Sequence, residues 1–284
     1  MGILIDNDEV IKMELSLTIS APGSKFGPII LRGDYVQQMM VAKAIGFQAV
    51  ELHIRNPQAI DCRAIIKCSE TKGIKVSTLG TGVAYIEDGI YFSSDNQAIR
   101  EEATRRIMTH IDFASQLGAK VIIGTIKGTI PENGSPTEVE AAKKRAAECL
   151  KRCAEYAERK DTSLTVEAIN RYETNFLNTS AQTLEFIKEI DAPNVGLHLD
   201  AFHMNIEEVS LTKAIKEAGS RLTHFHVADS NRLPPGQGHT DFSKIVAALK
   251  SVNYQGYLGV ECLPLPDPKR AAIQTMEYLN RLLA

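Results

Sequence analysis

The chain of 284 residues predicts an α/β fold, a single (β/α)8 TIM barrel running from residue 1 to 284. Three observations carry that expectation. Short apolar runs alternate with longer amphipathic segments along the whole chain, with short returns and no break in composition, which is the pattern of a parallel sheet covered by helices. Eight such units in this length favour a closed barrel, which folds as one body at about 250 residues, over an open doubly wound sheet. An open sheet would also bring a glycine-rich phosphate turn after its first strand. Here Gly-x-Gly occurs only as Gly80-Thr81-Gly82 and Gly236-Gln237-Gly238, neither in a dinucleotide setting.

The units follow in order. Leu15-Ser16-Leu17-Thr18-Ile19 reads as the first strand, followed by a loop with Pro22-Gly23 and Gly27-Pro28 and a helix from Asp34 to Ile45 that stops at Gly46. Ala49–Ile54 is the second strand, with a helix from about Gln58 to Thr71. Lys75–Leu79 is the third. Val83 to Asp95 is expected to be a long loop covering the barrel mouth. A helix over Gln97–Leu117 leads to the fourth strand, Lys120–Gly124, and Pro136 opens a charged helix reaching Lys160. Ser163–Ile169, the run from Gly196 to Asp200, Arg221–Val227 and Gly256–Glu261 are strands five to eight. Their helices lie at Ala181–Ile190, Leu211–Ala218, Ser243–Ser251 and Asp267–Leu283.

Hydrophobic residues at 44% suffice for a core, and 24% charged residues match an ordinary soluble protein. A net charge of −3 offers no basic footprint for nucleic acid or an anionic membrane, so the expected partner is a small molecule. The five cysteines have no Cys-x-x-Cys spacing and read as reduced packing thiols. No apolar run approaches the roughly 18 residues that span a bilayer, and Met1–Asp6 lacks a charged leader. The expected location is cytoplasmic.

Chemistry concentrates in the last four strands. Glu167, Asp200, His226 and Glu261 each stand at a strand's carboxyl end, where α/β proteins bind ligands, separated by gaps of 33, 26 and 35 residues, one unit each. Three carboxylates and one imidazole suit Mn²⁺, Mg²⁺ or Co²⁺ better than a thiolate-seeking metal. A divalent ion chelating a carbonyl and its neighbouring hydroxyl acidifies the intervening C–H by stabilising the enediolate. Glu167 and Glu261 are the natural pair to remove a proton from one face and return it to the other. Glu173, His203 and Arg232 follow the ligands closely and can hydrogen-bond a polyhydroxylated substrate. His198 and His224 share the inward parity of Asp200 and His226, one layer deeper, and read as hydrogen-bonded core histidines or as residues supporting the ligands from behind. Glu51 and His53 read as structural, His110 and His239 as helix-surface and loop residues, and Cys262 as a packing residue.

The segments Val166–Glu173, Leu199–Glu208 and His224–Arg232, with Pro235-Gly236-Gln237-Gly238, resemble the ketose 3-epimerases, the D-tagatose and D-psicose 3-epimerase group of the xylose-isomerase-like barrels. The likeness is dense from about residue 163 to 264 and architectural before that. It implies a Mn²⁺-type ion, with Zn²⁺ also compatible, on Glu167, Asp200, His226 and Glu261. It further implies exchange of the C3 proton by Glu167 and Glu261, and binding of the O1–O3 end of a ketose by Glu173, His203 and Arg232. A homodimer or homotetramer is usual in the group. The chain departs from it in having no Trp to cover the distal end of the sugar. A sugar phosphate or a keto-glycoside therefore stays open as substrate, with Lys25 or Lys127 placed to meet an anion. Other readings are an aldose–ketose isomerase such as hydroxypyruvate isomerase, an endonuclease IV-like repair barrel, which the charge disfavours, and a barrel that binds sugar or metal without catalysis.

Overall fold

The computed structural model describes residues 13–284; the leader reading at Met1–Asp6 lies outside them. All strands are parallel. β1 (Leu15–Ser20), β3 (Ala49–His53), β4 (Lys75–Gly80), β5 (Lys120–Ile123), β6 (Leu164–Glu167), β7 (Val195–Asp200), β8 (Leu222–Val227) and β9 (Leu258–Val260) pair in chain order, and β9 returns to β1 through Leu15↔Leu258 and Leu17↔Val260. That closes an eight-stranded barrel. A two-residue strand, β2 (Leu31–Arg32), adds to the mouth end of β1.

The alternation written into β1 as Leu-Ser-Leu-Thr-Ile-Ser is partitioned by the pleat. Leu15, Leu17 and Ile19 join the hydrophobic layer beneath the helices, while Ser16 and Thr18 are equally buried and bond within the barrel: Ser16 Oγ lies 2.6 Å from Ser77 Oγ, and Thr18 Oγ1 donates to Val260 O at 2.8 Å. Later strands repeat this with heavier groups. Glu51, His53, Glu167, His198, Asp200, His224 and His226 are all buried polar residues, so the usual branched apolar filling of a barrel gives way to a charged interior over the last strands.

Ten α-helices are assigned among the described residues: α1 (Tyr35–Ile45), α2 (Cys62–Lys72), α3 (Gly82–Asp88), α4 (Gln97–Ser115), α5 (Pro136–Glu158), α6 (Ser180–Ile190), α7 (Ala201–Glu207), α8 (Leu211–Ala218), α9 (Phe242–Ser251) and α10 (Pro268–Leu283). Their ends obey local chemistry. Asp34 caps α1 through Gln37 N and Gly46 ends it in the left-handed region; Ser135 and Glu138 form a reciprocal capping box on α5. None of these helices is long and apolar enough to cross a membrane.

Three expectations change. The second unit's helix begins at Cys62, because Asn56 and Pro57 first form a separate 3-10 turn. The mouth loop from Val83 begins instead as helix α3, which lacks a side-chain N-cap bond and so gives no start signal in the sequence. His110 is a core residue rather than a surface one. Its ring is wholly buried, with Nδ1 2.8 Å from Arg106 O and Nε2 2.8 Å from Ile54 O, and so ties α4 to the end of β3.

Candidate active site

Four consecutive strands bring the acids and the imidazole together. Glu167 ends β6 and Asp200 ends β7; His226 is in β8 and Glu261 directly follows β9. Strand register sets their level, with Glu167 opposite His198, Asp200 opposite His226 and His226 opposite Gly259. Candidate ligand atoms of Glu167, Asp200 and His226 all lie within 4.8 Å of one another, and those of Glu51, His226 and Glu261 form a second such set. His198, His224 and His226 form a third, so His226 is common to three overlapping triples. Its Nδ1 stands 3.8 Å from Asp200 Oδ2 and 3.7 Å from Glu261 Oε2.

The donor set fits a hard divalent cation. Asp200 spends Oδ1 on capping α7, accepting from Phe202 N at 2.7 Å, and leaves Oδ2 buried with no hydrogen-bond partner among the described residues. His226 Nδ1 is likewise buried and unpartnered. Two facing polar atoms without a hydrogen-bond partner are what a bound cation would satisfy. Without one, charge is shared by protons. Burial opposes ionisation of Asp200, yet His203, Arg232 and His226 hold its carboxyl well below the usual carboxylate range. Burial, then the charge of Glu261, pushes the Glu167 carboxyl up to about 8. Burial also raises Glu261 against the pull of His226, Arg232 and His53.

The expected substrate-binding residues converge on the same space. Arg232 Nη2 donates to Glu261 Oε2 at 2.7 Å, Nη1 lies 3.4 Å from Glu173 Oε1, and the guanidinium sits 4.5 Å above the Phe202 ring. Its backbone adopts φ +62°, a strained conformation held by Arg232 N donating to Asp229 O and Leu263 N donating to Arg232 O, each at 2.8 Å. Asp229 in turn accepts from the amides of Ser230, Gly236 and Thr240. His203 Nδ1 accepts from Asn170 Nδ2 at 2.6 Å, which leaves Nε2–H facing Glu167 Oε1 at 3.7 Å. Burial drives its pKa down to about 3, so it is a neutral donor. Asn170 also donates to Glu173 Oε1 at 3.1 Å. Sequence reasoning gave Asn170 no role of its own; its one signal was the position between Glu167 and Glu173.

These groups line a cavity of about 360 Å³, near the lower end of the roughly 300–1,000 Å³ typical of small-ligand sites. Glu167, Glu173, His203, His226, Arg232 and Glu261 are its charged and imidazole lining, while Phe26, Pro28, Ile86, Ile122 and Leu263 are among its apolar lining. Neither lysine expected to meet an anion lines it. Lys25 is exposed, and Lys127 is buried beneath the β5 turn with Nζ 3.3 Å from Gly124 O. Burial lowers Lys127 to about 8, and the charges of Glu167 and Glu173 counter that fall. Gly124 has its own constraint, since a Cβ there would stand 2.7 Å from Glu167 Oε2.

Known proteins share this framework. A family model described as a xylose isomerase-like TIM barrel matches residues 40–282. The L-ribulose 3-epimerase of Methylomonas sp. is 31% identical over 231 residues, 80% of this chain and 79% of that one. The D-psicose 3-epimerase of Agrobacterium fabrum is 32% identical over 242 residues, 84% of this chain and 79% of that one. Among solved structures, the 3-keto-D-glucoside 4-epimerase of E. coli superposes with a TM-score of 0.80 at 24% identity, covering 95% of this chain and 100% of that one.

Proposed function

The chain belongs to the xylose isomerase-like TIM barrel family and stands among its carbohydrate epimerases, an isomerase by class, and from that premise we propose a metal-dependent ketose 3-epimerase that inverts the carbon next to the ketone. The observation that carries the reading is the presence of Glu167 and Glu261 in one small cavity, above the unpartnered Asp200 Oδ2 and His226 Nδ1. Glu167, Asp200, His226 and Glu261 would hold the ion. A divalent cation bound there would supply positive charge against the enediolate as it develops.

This chain's own residues then divide the work. One of the two glutamates takes the C3 proton and the other delivers a proton to the opposite face; reversal of the reaction exchanges their roles. Arg232 fixes Glu261 through its 2.7 Å contact and keeps its second nitrogen toward Glu173. Neutral His203 presents Nε2–H toward the reacting oxygens, its tautomer set by Asn170. The apolar lining excludes water from the planar intermediate. Arg232 is the one Lys or Arg among the lining residues, and it is engaged by Glu261, which supports a neutral sugar over a phosphorylated one.

A ketone on the ring of a glycoside is the second reading. It is favoured by a neighbouring cavity of about 420 Å³ that shares His53 with the first and can take a bulky substituent. Free ketoses, ketose phosphates and keto-glycosides incubated with Mn²⁺ in heavy water separate the cases by NMR. Deuterium at C3 of a free ketose supports the first reading, at ring C4 of a 3-keto-glycoside the second, and at C1 or C2 an aldose–ketose isomerase. Glu167→Gln and Glu261→Gln are each expected to lower kcat by at least about 10²-fold, the contribution of a general acid–base group, while the sugar still binds in isothermal titration. Exchange that persists in both variants would reject the two-carboxylate scheme.

A further inference from the structure

Close to the proposed catalytic carboxylates lies another buried acid that the reaction does not use. Glu51, on β3, is 0% exposed and receives four donors on its two oxygens. Oε1 accepts from His53 Nε2 at 2.7 Å, and Oε2 from His224 Nε2 at 2.8 Å, His226 Nε2 at 3.0 Å and the Thr78 hydroxyl. Oε2 is thus saturated by protein donors, while Oε1 is shared with His53. Joining an ion through Oε2 would require surrendering those donors, although Glu51, His226 and Glu261 offer ligand atoms within 4.8 Å of one another.

The consequence falls on His226. A neutral imidazole carries one N–H, and Glu51 demands it at Nε2; the lone pair is left at Nδ1, the atom 3.8 Å from Asp200 Oδ2 and 3.7 Å from Glu261 Oε2. The ring is closely packed in that orientation: a Cβ on Gly259 would stand 2.6 Å from its Cδ2, and the His198 ring crosses it at 81° with centroids 4.1 Å apart. We infer that Glu51 is a positioning residue for the metal centre: it selects the His226 tautomer whose Nδ1 faces the cation and holds that ring in place. His53 carries the same acid to the other side of the site, since its Nε2 also lies 3.5 Å from Glu261 Oε1. Ligand histidines oriented by a carboxylate on the far nitrogen gain basicity and lose freedom, and removing such a carboxylate typically weakens metal binding by about 10–100-fold.

This inference rests on the metal reading of the site, and the test separates the two. Mn²⁺ affinity is measured by isothermal titration for the full chain, Glu51→Gln and His224→Gln, with circular dichroism as the check on folding. Histidine tautomers of the unsubstituted protein saturated with Mg²⁺ are read by long-range ¹H–¹⁵N NMR. Expected results are an Nε2–H tautomer with a ligated Nδ1 at His226, a loss of about 10–100-fold in affinity for Glu51→Gln, and a change under about threefold for His224→Gln, which trims the hub without freeing His226. The NMR result stands alone should Glu51→Gln not fold. An Nδ1–H tautomer at His226, unchanged affinity in a folded Glu51→Gln, or an equal loss in His224→Gln would each overturn the role of Glu51. An unsubstituted chain that does not bind Mn²⁺ would refute the metal reading itself, and this inference with it.

Discussion

Arg232 concentrates more constraints than any other side chain at the mouth: a left-handed backbone, a ring beneath it, and acids on two of its nitrogens. Lysine keeps the charge but offers a point rather than a fork, so Arg232→Lys cannot hold Glu261 and Glu173 together. Losing one charge-assisted hydrogen bond costs about 1.5–3 kcal/mol. Arg232→Lys is therefore expected to lower kcat/KM by about 10–100-fold with little change in melting temperature, measured by steady-state kinetics and thermal denaturation. At this scale the sequence was informative where a residue's role follows from its place on a strand. Asp200 and His226 sit at strand ends by simple counting. The role of Glu51 was not legible, because parity says that a side chain points inward and not whether it faces the mouth or the interior. Three inward histidines beside an inward glutamate were the available signal. Lys127 lies in the turn after β5 whose Gly124 and Thr125 line the cavity, but its own side chain is buried outside that lining, which residue order alone does not reveal.

Helix α3 shows how one element couples the pocket wall to the shell. Ile86 on α3 lines the cavity, and Asp88 at its end binds Arg106 of α4 at 2.6 Å and the guanidinium of Arg55 beyond β3. Burial opposes ionisation of Asp88, but Arg55 and Arg106 hold its carboxyl below the usual value. Its folded pKa is thus depressed. The stabilisation it gives is present above the unfolded value of 3.8 and is lost as pH falls through the lower folded value. Asp88→Asn is expected to destabilise the protein at pH 7 by about 1–3 kcal/mol and to flatten the acid limb of the stability profile below pH about 4. Chemical denaturation across pH measures both. Because α3 then loses its anchor, KM should rise more than kcat falls. The strands and outer helices could be read from periodicity and caps, whereas α3 could not. Its seven residues are held by packing and by Asp88, and by no N-cap side chain.

If the proposed ion binds, the closed barrel would make the whole chain respond to it. Pairing of β9 with β1 joins the ligand strands to the first half of the molecule, so binding energy at the mouth opposes unfolding of all the described residues together. Chelation followed by Mn²⁺ at 100 times its dissociation constant should add about 2.7 kcal/mol and raise the melting temperature by about 5–10 °C. A single transition that moves as one is the expected trace, in keeping with one domain, and differential scanning calorimetry reads it. A trace in which part of the chain melts independently of the ion would divide the fold.

The candidate reacting groups hang from four adjacent staves, β6 to β9, whereas Phe26, Ile86 and Ile122, which line the same cavity, belong to the earlier half of the chain. Under the proposed scheme the proton-moving pair and much of the apolar lining would thus come from different stretches of one polypeptide. Changes in the loops after β1 and β4 would then alter which sugar is admitted while leaving the proposed proton-moving pair on strands of its own.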